Sequence, residues 1–319
     1  MNFHLRNFSY MNINPLVSVI IPNYCHARYL DERIQSVLNQ TYTHFEVIIL
    51  DDCSPDDGAS KEVIERYRGN PHISQIVYNE QNSGSTFKQW QKGFRLAKGE
   101  LIWIAESDDK CEPTLLEALV NGFVKYDNVA ISYCASLVID GNGNNKNVPF
   151  VGNVAHEFYE GKNFISHEMS WCNGIPNASA VVFKKEVALS VNPQYMNYVA
   201  AGDRLFWIEL CEKGNVFHSS EPLNYFRKHG DNVTPRCYRN GTTMTEDYHI
   251  NRYLEKNHYL SIMQILGARC HYQSTIYRGE FDSPEIRKNV MRLWNCHGLL
   301  PYSLLFRFLK LYNTLREWR

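Results

Sequence analysis

Residues 101–109 have the sequence LIWIAESDD, a hydrophobic run that leads directly into an acidic turn. Its first five residues have the length and the uninterrupted hydrophobicity of a strand that is buried on both faces of a sheet. The strand runs directly into Glu106, Ser107, Asp108 and Asp109, so carboxylates gather at one sheet edge. Such a cluster suits a divalent cation that holds a diphosphate, although a solvated acidic turn is the alternative. Ligands in α/β sheets bind at these carboxyl ends of strands, which favours the first interpretation.

Strand and helix patterns alternate through the residues that precede this stretch, with short connections between them. Buried strands are predicted over residues 16–21 and 45–50, a third strand over residues 73–78, and helices over residues 28–40, 56–67 and 83–97. Downstream, the pattern predicts helices over residues 113–126 and 203–213, and strands over residues 129–139, 178–183 and 222–227. This alternation predicts an α/β fold with a mostly parallel sheet and helices on both faces.

The pattern changes near residue 235. Strand signals stop there, and helices are predicted over residues 245–276, 284–296 and 301–318. The sequence therefore predicts an α/β catalytic domain over residues 1–235 and a C-terminal helical region over residues 236–319.

Composition excludes several classes of protein. The 319 residues carry a formal net charge of −1, which gives no general attraction to nucleic acid. Nine cysteines without a CxxC pair argue against a zinc finger and a disulfide framework, and they favour a reducing, cytoplasmic compartment. The N-terminus lacks the apolar core of a signal peptide, and no window approaches ~20 uninterrupted apolar residues.

Three predicted strand ends carry polar or aromatic groups that can meet on one ligand. Tyr24 follows the first strand, Asp52 the second, and the acidic turn the fourth. The Tyr24 ring can support a nucleobase, and the Asp52 carboxylate can accept a hydrogen bond from a base N–H. No GxGxxG follows the first strand, which argues against a dinucleotide fold, and the chain has no P-loop motif.

These motifs together resemble the family 2 glycosyltransferases. The resemblance is carried in order by VSVIIPNY (17–24), QTY (40–42), FEVIILDD (45–52), NSG (82–84), KGE (98–100) and SDD (107–109). It is specific over residues 16–127 and looser to residue 234. The resemblance implies a GT-A fold, a UDP- or dTDP-sugar donor, a divalent cation (Mn²⁺ or Mg²⁺) and inversion at the anomeric carbon.

The resemblance also assigns roles to single residues. Donor binding falls to Pro22, Tyr24, Asp52, Asn82, Gly84, Lys88, Asp108 and His229, and metal binding to Asp108, Asp109 and His229. Glu106 stands where many members have aspartate. Lys88 stands near the place of an arginine in many members and can contact a phosphate. His229 lies in the basic segment 225–234, where simple solvation of the imidazole is the alternative.

Asp203 resembles the residue that supplies the family's catalytic base. An inverting transfer needs one carboxylate to deprotonate the acceptor hydroxyl. The alternative for Asp203 is a helix N-cap, since an aspartate before an apolar run often takes that place. Trp171, Asn173 and Asn177 match the region that shapes the family's acceptor pocket, with packing as the alternative for the tryptophan.

The C-terminal segment 302–318 combines an apolar face with basic residues. It could lie on an anionic membrane surface at the inner face of the plasma membrane, near a lipid-linked acceptor, or dock on the catalytic domain.

The favoured function is transfer of a sugar from a nucleotide-diphosphate donor to a hydroxyl of a glycan or lipid-linked acceptor, in bacterial surface polysaccharide synthesis. The alternatives are a non-catalytic nucleotide-sugar-binding subunit and a sugar-nucleotide pyrophosphorylase. The latter class begins with a Gly-rich loop that this chain does not have after its first strand.

Overall fold

A computed structural model describes residues 14–230 and 233–294. The chain forms two compact units, and both are discontinuous in sequence. The first unit takes in the residues up to Tyr159 together with Asn177–Val191 and Lys213–Lys228. The second takes in Glu160–Pro176, Asn192–Glu212 and the described residues from His229 onward. The division thus differs from a single boundary at residue 235, because two segments from the middle of the chain belong with the C-terminal helices.

The described part of the first unit contains a nine-stranded sheet with the order β3-β2-β1-β4-β8-β6-β9-β5, and β7 pairs with β9. The strands are β1 (Val17–Asn23), β2 (Phe45–Asp51), β3 (Ile73–Tyr78), β4 (Leu101–Ile104), β5 (Lys110–Cys111), β6 (Val129–Asp140), β7 (Phe158–Tyr159), β8 (Val181–Lys184) and β9 (Asn215–Lys228). Strands β3, β2, β1 and β4 are mutually parallel, as are β6 and β9, whereas β8 runs antiparallel to both β4 and β6. The predicted α/β class with a mostly parallel sheet is confirmed.

Helices, numbered along the whole chain, pack against the strands of this sheet. Those of the first unit are α1 (Ala27–Leu38), α2 (Ala59–Glu65), α3 (Thr86–Leu96), α4 (Leu115–Lys125) and α6 (Lys185–Leu189). All seven residues of both β1 and β2 are buried, as expected for central parallel strands. The core of the unit therefore lies on both sides of these two strands.

A polar contact inside the core fixes the turn between α3 and β4. The Ser18 hydroxyl donates to Glu46 at 2.7 Å and accepts from the Gly99 N–H at 2.8 Å. A Cβ on Gly99 would lie 2.5 Å from the Leu16 carbonyl oxygen, so only glycine fits there. This close approach brings the start of β4 against β1, which sets where the acidic turn emerges.

The second unit is helical in its described residues. Its helices are α5 (Gly161–Glu168), α7 (Gly202–Cys211), α8 (Val233–Arg239), α9 (Thr242–Lys256), α10 (Ile262–Arg278) and α11 (Pro284–Leu293). The prediction of one helix over residues 245–276 is wrong. His258 adopts a left-handed φ of 57°, and Ser261 starts a new helix with a capping box to Gln264.

No helix among the described residues is both long and apolar enough to span a membrane. The segment 302–318, with its predicted membrane or docking role, lies outside the described residues.

Candidate active site

The carboxyl ends of β1 and β2 lie side by side, since Asn23 pairs with Asp51 in the parallel register. The Asp51 carboxylate joins them: it accepts from the Asn23 amide at 2.7 Å and from the Ser54 hydroxyl at 2.7 Å. Pro22 is buried within β1, whereas Tyr24 is 45% exposed just beyond it. The Tyr24 ring is thus accessible to a ligand, and its role in supporting a base stays a prediction.

Asp52 is buried, and its carboxylate organises the neighbouring loop. Oδ1 accepts from Asn79 at 2.6 Å, from the Ser83 N–H at 2.9 Å and from Gln89 at 2.8 Å, and Oδ2 accepts from the Ser83 hydroxyl at 2.8 Å. Four donors hold a buried acceptor of this kind firmly in place. Recognition of a base N–H by Asp52 stays a prediction. Oδ2 accepts one of these four hydrogen bonds and Oδ1 accepts three, so Oδ2 has more capacity for a base N–H.

The loop before α3 and the first turn of α3 place three predicted donor-binding residues, Asn82, Gly84 and Lys88, on the surface of the same unit. The Asn82 side chain donates to the Asp52 carbonyl at 3.1 Å and accepts from the Gly84 N–H at 2.6 Å. Gly84 has a φ of 72°, a left-handed conformation that glycine adopts without strain. The Lys88 ammonium is exposed and donates to the Ser83 carbonyl at 3.0 Å. An exposed ammonium beside this loop is available to an anionic ligand.

His26 lies beside the acidic turn, a placement that the sequence analysis missed. Its Nδ1 is 2.9 Å from the Ser107 hydroxyl, and its nearest ligand nitrogen lies within 4.8 Å of an Asp108 carboxylate oxygen. Imidazole nitrogen and carboxylate oxygen together suit Mn²⁺ and similar first-row cations. A histidine two residues after Tyr24, at a strand end, was the available sequence signal.

Asp109 differs in its surroundings from the other residues predicted to bind the metal. Its side chain is 1% exposed, and Oδ2 accepts from Asn177 at 2.9 Å and from Ser179 at 2.6 Å, while Oδ1 accepts from the Arg227 N–H at 2.8 Å. Arg33 also lies 3.9 Å away. The carboxylate therefore faces the interior and ties β9 and the segment before β8 to the turn, while Asp108 remains partly exposed.

Asn177 also differs from its predicted acceptor role. It is buried, it donates to Asp109, and its carbonyl oxygen accepts from Asn224 at 3.0 Å. Both ends of the amide are thus engaged inside the first unit, so Asn177 supports the acidic turn instead of facing an acceptor.

The Glu106 carboxyl group has a raised pKa because it is buried near the other acids of this turn. The pKa is raised to about 8, mainly by burial and in part by the charge of Asp108. A hydrogen bond from the Trp90 indole N–H, at 2.9 Å, opposes this rise. Burial also raises the pKa of Asp109 to about 6, again with repulsion from Asp108. Both raised pKa values reflect burial and the repulsion between neighbouring carboxylates in this turn.

Asp203 stands in the first turn of α7 in the second unit. The N-cap of this helix is Ala201, so the predicted N-cap alternative for Asp203 is wrong. Its Oδ1 accepts from the Arg204 N–H and its Oδ2 accepts from the Asn173 amide, both at 2.8 Å. The Asn173 carbonyl oxygen accepts from the Ile175 N–H at 3.1 Å, which fixes the orientation of that amide. Asn173 thus positions the candidate base.

Two consecutive acids of α9 hold the start of α7. Glu246 accepts from three successive backbone N–H groups at 2.7–2.9 Å, those of Val199, Ala200 and Ala201. Asp247 binds the buried Arg204 guanidinium at 2.6 Å, and Arg204 also donates to the Met169 carbonyl at 2.6 Å. These bonds immobilise the backbone on both sides of Asp203, as a precisely placed group requires.

The pKa of Asp203 is raised to about 7, mainly by burial and in part by the nearby charge of Asp247. Hydrogen bonds from the Arg204 N–H and Asn173, together with the Arg204 charge, oppose this rise. A carboxylate with a pKa near neutrality accepts a proton more readily than an ordinary aspartate does. This is the property that a general base needs.

The remaining predicted residues of the second unit are Trp171 and His229. The Trp171 ring stacks on His271 with 6.3 Å between centroids, which is a packing contact, and its predicted acceptor role stays a prediction. His229 directly follows Lys228 at the end of β9, and its predicted binding role likewise stays a prediction.

The first unit thus presents an accessible aromatic ring and carboxylates at one sheet edge, and the second unit holds a half-buried carboxylate whose pKa is raised toward neutrality. The model of the family described as Glycosyl transferase family 2 matches residues 18–179 of this chain. The chain therefore belongs to the family 2 glycosyltransferases.

Relatives and solved structures agree with this assignment. The chain is 24% identical over 250 residues to TuaG of Bacillus subtilis (strain 168), a glycosyltransferase named for teichuronic acid biosynthesis, with 78% of this chain and 92% of TuaG covered. It is 37% identical over 107 residues to the poly(ribitol-phosphate) beta-N-acetylglucosaminyltransferase TarP of Staphylococcus aureus (strain N315), covering 33% of this chain and 32% of TarP. The crystal structure of S. aureus TarS 1-349 in complex with UDP-GlcNAc has a TM-score of 0.66 at 17% identity, covering 87% and 80% of the two chains. The expected GT-A fold is confirmed.

Proposed function

We propose that this protein is an inverting glycosyltransferase that adds a sugar from a nucleotide-diphosphate donor to a hydroxyl of a glycan acceptor in surface polysaccharide synthesis. The observation that carries the proposal is Asp203, a carboxylate held by two hydrogen bonds and tuned toward neutral pKa. The relatives named for teichuronic acid and poly(ribitol-phosphate) support a polysaccharide acceptor. A lipid-linked acceptor at the inner membrane face is part of the same proposal.

Donor binding is assigned to the sheet edge of the first unit. The exposed Tyr24 ring supports the base, Asp52 and Asn82 bind the nucleoside, and Lys88 contacts phosphate. A uracil or thymine base fits an acceptor such as Asp52 Oδ2, because both bases carry a ring N–H that cytosine lacks.

A divalent cation fits the donor set of the acidic turn. His26 and Asp108 supply one nitrogen and one carboxylate within 4.8 Å in the first unit. The metal role of His229 rests on the sequence resemblance alone and is part of the proposal. When bound, a cation of this kind neutralises charge on the leaving diphosphate. Asp109 is too engaged by protein donors to join this set, and it holds the turn that presents Asp108.

The chemistry then requires one proton transfer by the chain itself. The acceptor oxygen forms a bond to the anomeric carbon while the bond from that carbon to the diphosphate oxygen breaks, and its electron pair leaves with the nucleoside diphosphate. An Asp203 oxygen takes the acceptor proton as the hydroxyl attacks. Attack opposite the leaving group inverts the anomeric configuration.

The competing proposal is a subunit that binds a nucleotide sugar without transferring it. Incubation of the purified chain with UDP-sugars and Mn²⁺, followed by detection of released UDP, separates the two. Release of UDP that depends on Asp203 supports the enzyme, whereas tight binding without release supports the binding subunit.

The pH dependence of transfer follows from the environment of Asp203. Because the base must be deprotonated, the rate is expected to rise with pH through about 7 and not through the ordinary aspartate range near 4. Asn173→Ala removes a hydrogen bond that stabilises the carboxylate, so the acid limb should move to higher pH. Rate profiles between pH 5 and 9 test this, with Asn289→Ala on α11 as an exposed control. An acid limb that stays in place in Asn173→Ala contradicts the positioning role.

A further inference from the structure

The second unit contains a groove whose lining points to a binding site distinct from the donor-binding edge. It has a volume of about 640 Å³ and lies between the turn at Pro193–Asn197, helix α7 and helix α9. Its polar lining includes Gln194, Asn197, Glu209, Glu246, Arg252 and Lys256.

The acidic groups of this groove are turned toward protein donors. Glu246 accepts three backbone N–H groups, and Glu209 accepts from the Asn192 N–H at 2.7 Å. The hydroxyl of Tyr253 donates to Glu212 at 2.6 Å. The bonds to Glu246 and Glu209 occupy much of the hydrogen-bonding capacity of these two carboxylates and reduce their repulsion of an incoming anion.

The basic groups are open to solvent instead. Arg252 and Lys256 are exposed on α9, and the spacing of His249, Arg252 and Lys256 places all three on one helical face. Lys256 forms no ion pair with another side chain in the described ranges, and Arg252 pairs only with Glu255 there. The exposed amides of Gln194 and Asn197 face the same groove and can hydrogen-bond sugar hydroxyls.

From this lining we infer that the groove binds the anionic part of the acceptor glycan, a chain that carries phosphate or carboxylate groups. The inference rests on the proposed function and names its acceptor class. The groove and the candidate base belong to the same part of the second unit: Tyr198 and Leu205 line the groove, Glu246 holds the three residues after Tyr198, and Asp203 lies in the first turn of α7.

Direct binding of defined probes to the whole chain, without donor, tests the site. The probes are an oligogalacturonide, a glycerol-phosphate oligomer and neutral maltooligosaccharide of matched length, together with phosphatidylglycerol vesicles. Arg252→Ser with Lys256→Ser should weaken the anionic oligomers about tenfold, which corresponds to about 1.4 kcal/mol, and should flatten the salt dependence of their binding. The matched control is Lys288→Ser with Arg292→Ser, an exposed pair on α11 with the same loss of charge.

Several outcomes overturn the inference. These are equal weakening in both double variants, anionic binding that is no tighter than neutral binding, or a selective loss of vesicle binding, which would make the groove a membrane contact. Melting temperatures and UDP affinity should match wild type in both variants, because the exchanged side chains are exposed and lie outside the donor-binding unit. Since the assay needs no catalysis, failure of Asp203 as the base leaves its result unaffected.

Discussion

Asp203→Asn is expected to lower the transfer rate by about 10²–10⁴-fold. Asparagine keeps the size of the side chain and an oxygen acceptor for one of its two hydrogen bonds, but it cannot take a proton. Donor affinity should hardly change, because the role belongs to the transition state. Initial rates and calorimetric donor binding, measured on the same preparation, check this. Asp282→Asn, an exposed acid of the same unit, serves as the control and should retain full transfer.

The same variant has a second, independent consequence for stability. The folded pKa of Asp203 lies above its unfolded value, so the wild type is stabilised by protonation at low pH and loses that stability as pH rises from about 4 through about 7. Asparagine cannot ionise and escapes this loss. Between pH 5 and pH 8, the melting temperature of the wild type should therefore fall relative to that of Asp203→Asn.

The catalytic role of Asp203 is contradicted if the folded Asp203→Asn variant transfers sugar at the normal rate.

The second large effect separates Asp108 from Asp109. Asp108→Asn should abolish the response of UDP binding to Mn²⁺ and leave the fold intact, since Asp108 is partly exposed beside His26. Asp109→Asn should instead cost about 1–3 kcal/mol of folding free energy, because it leaves buried donors of Asn177, Ser179 and the Arg227 backbone without a full partner.

Calorimetry with UDP in Mn²⁺ and in EDTA, together with denaturant unfolding, distinguishes these two outcomes. If Asp109→Asn kept wild-type stability and lost the Mn²⁺ response, the carboxylate would be a metal ligand and its interior hydrogen bonds would have no structural role.

The sheet and the site-bearing strand ends were predictable because they depend on local pattern. Apolar runs such as residues 45–50 end in charged residues, and parallel pairing then brings their ends together. The placement of Asp109 was not predictable in the same way. Its partners Asn177, Ser179 and Arg227 lie 68–118 residues away, so its inward direction depends on tertiary contacts that no local pattern reveals.

The surroundings of Asp203 show the same limit. The sequence predicted a helix from residue 203 and an acid at its start, but Glu246 and Asp247 read only as part of a helical face. Their function as a clamp on residues 199–204 arises because α9 packs against the start of α7. The break at His258 was missed because helical periodicity continues through the break, although a left-handed backbone interrupts the helix.

Slow hydrolysis of the donor tests inversion with Asp203 as the base, because it needs no knowledge of the acceptor. The quantity measured is the anomeric configuration of the sugar that is released first. The chain is incubated with a UDP-α-sugar and Mn²⁺ in an NMR tube, and the first spectra are recorded before the free sugar equilibrates. Inversion predicts that the β anomer appears first, and that Asp203→Asn releases it far more slowly. Initial release of the α anomer, or equal release by Asp203→Asn, would contradict this mechanism.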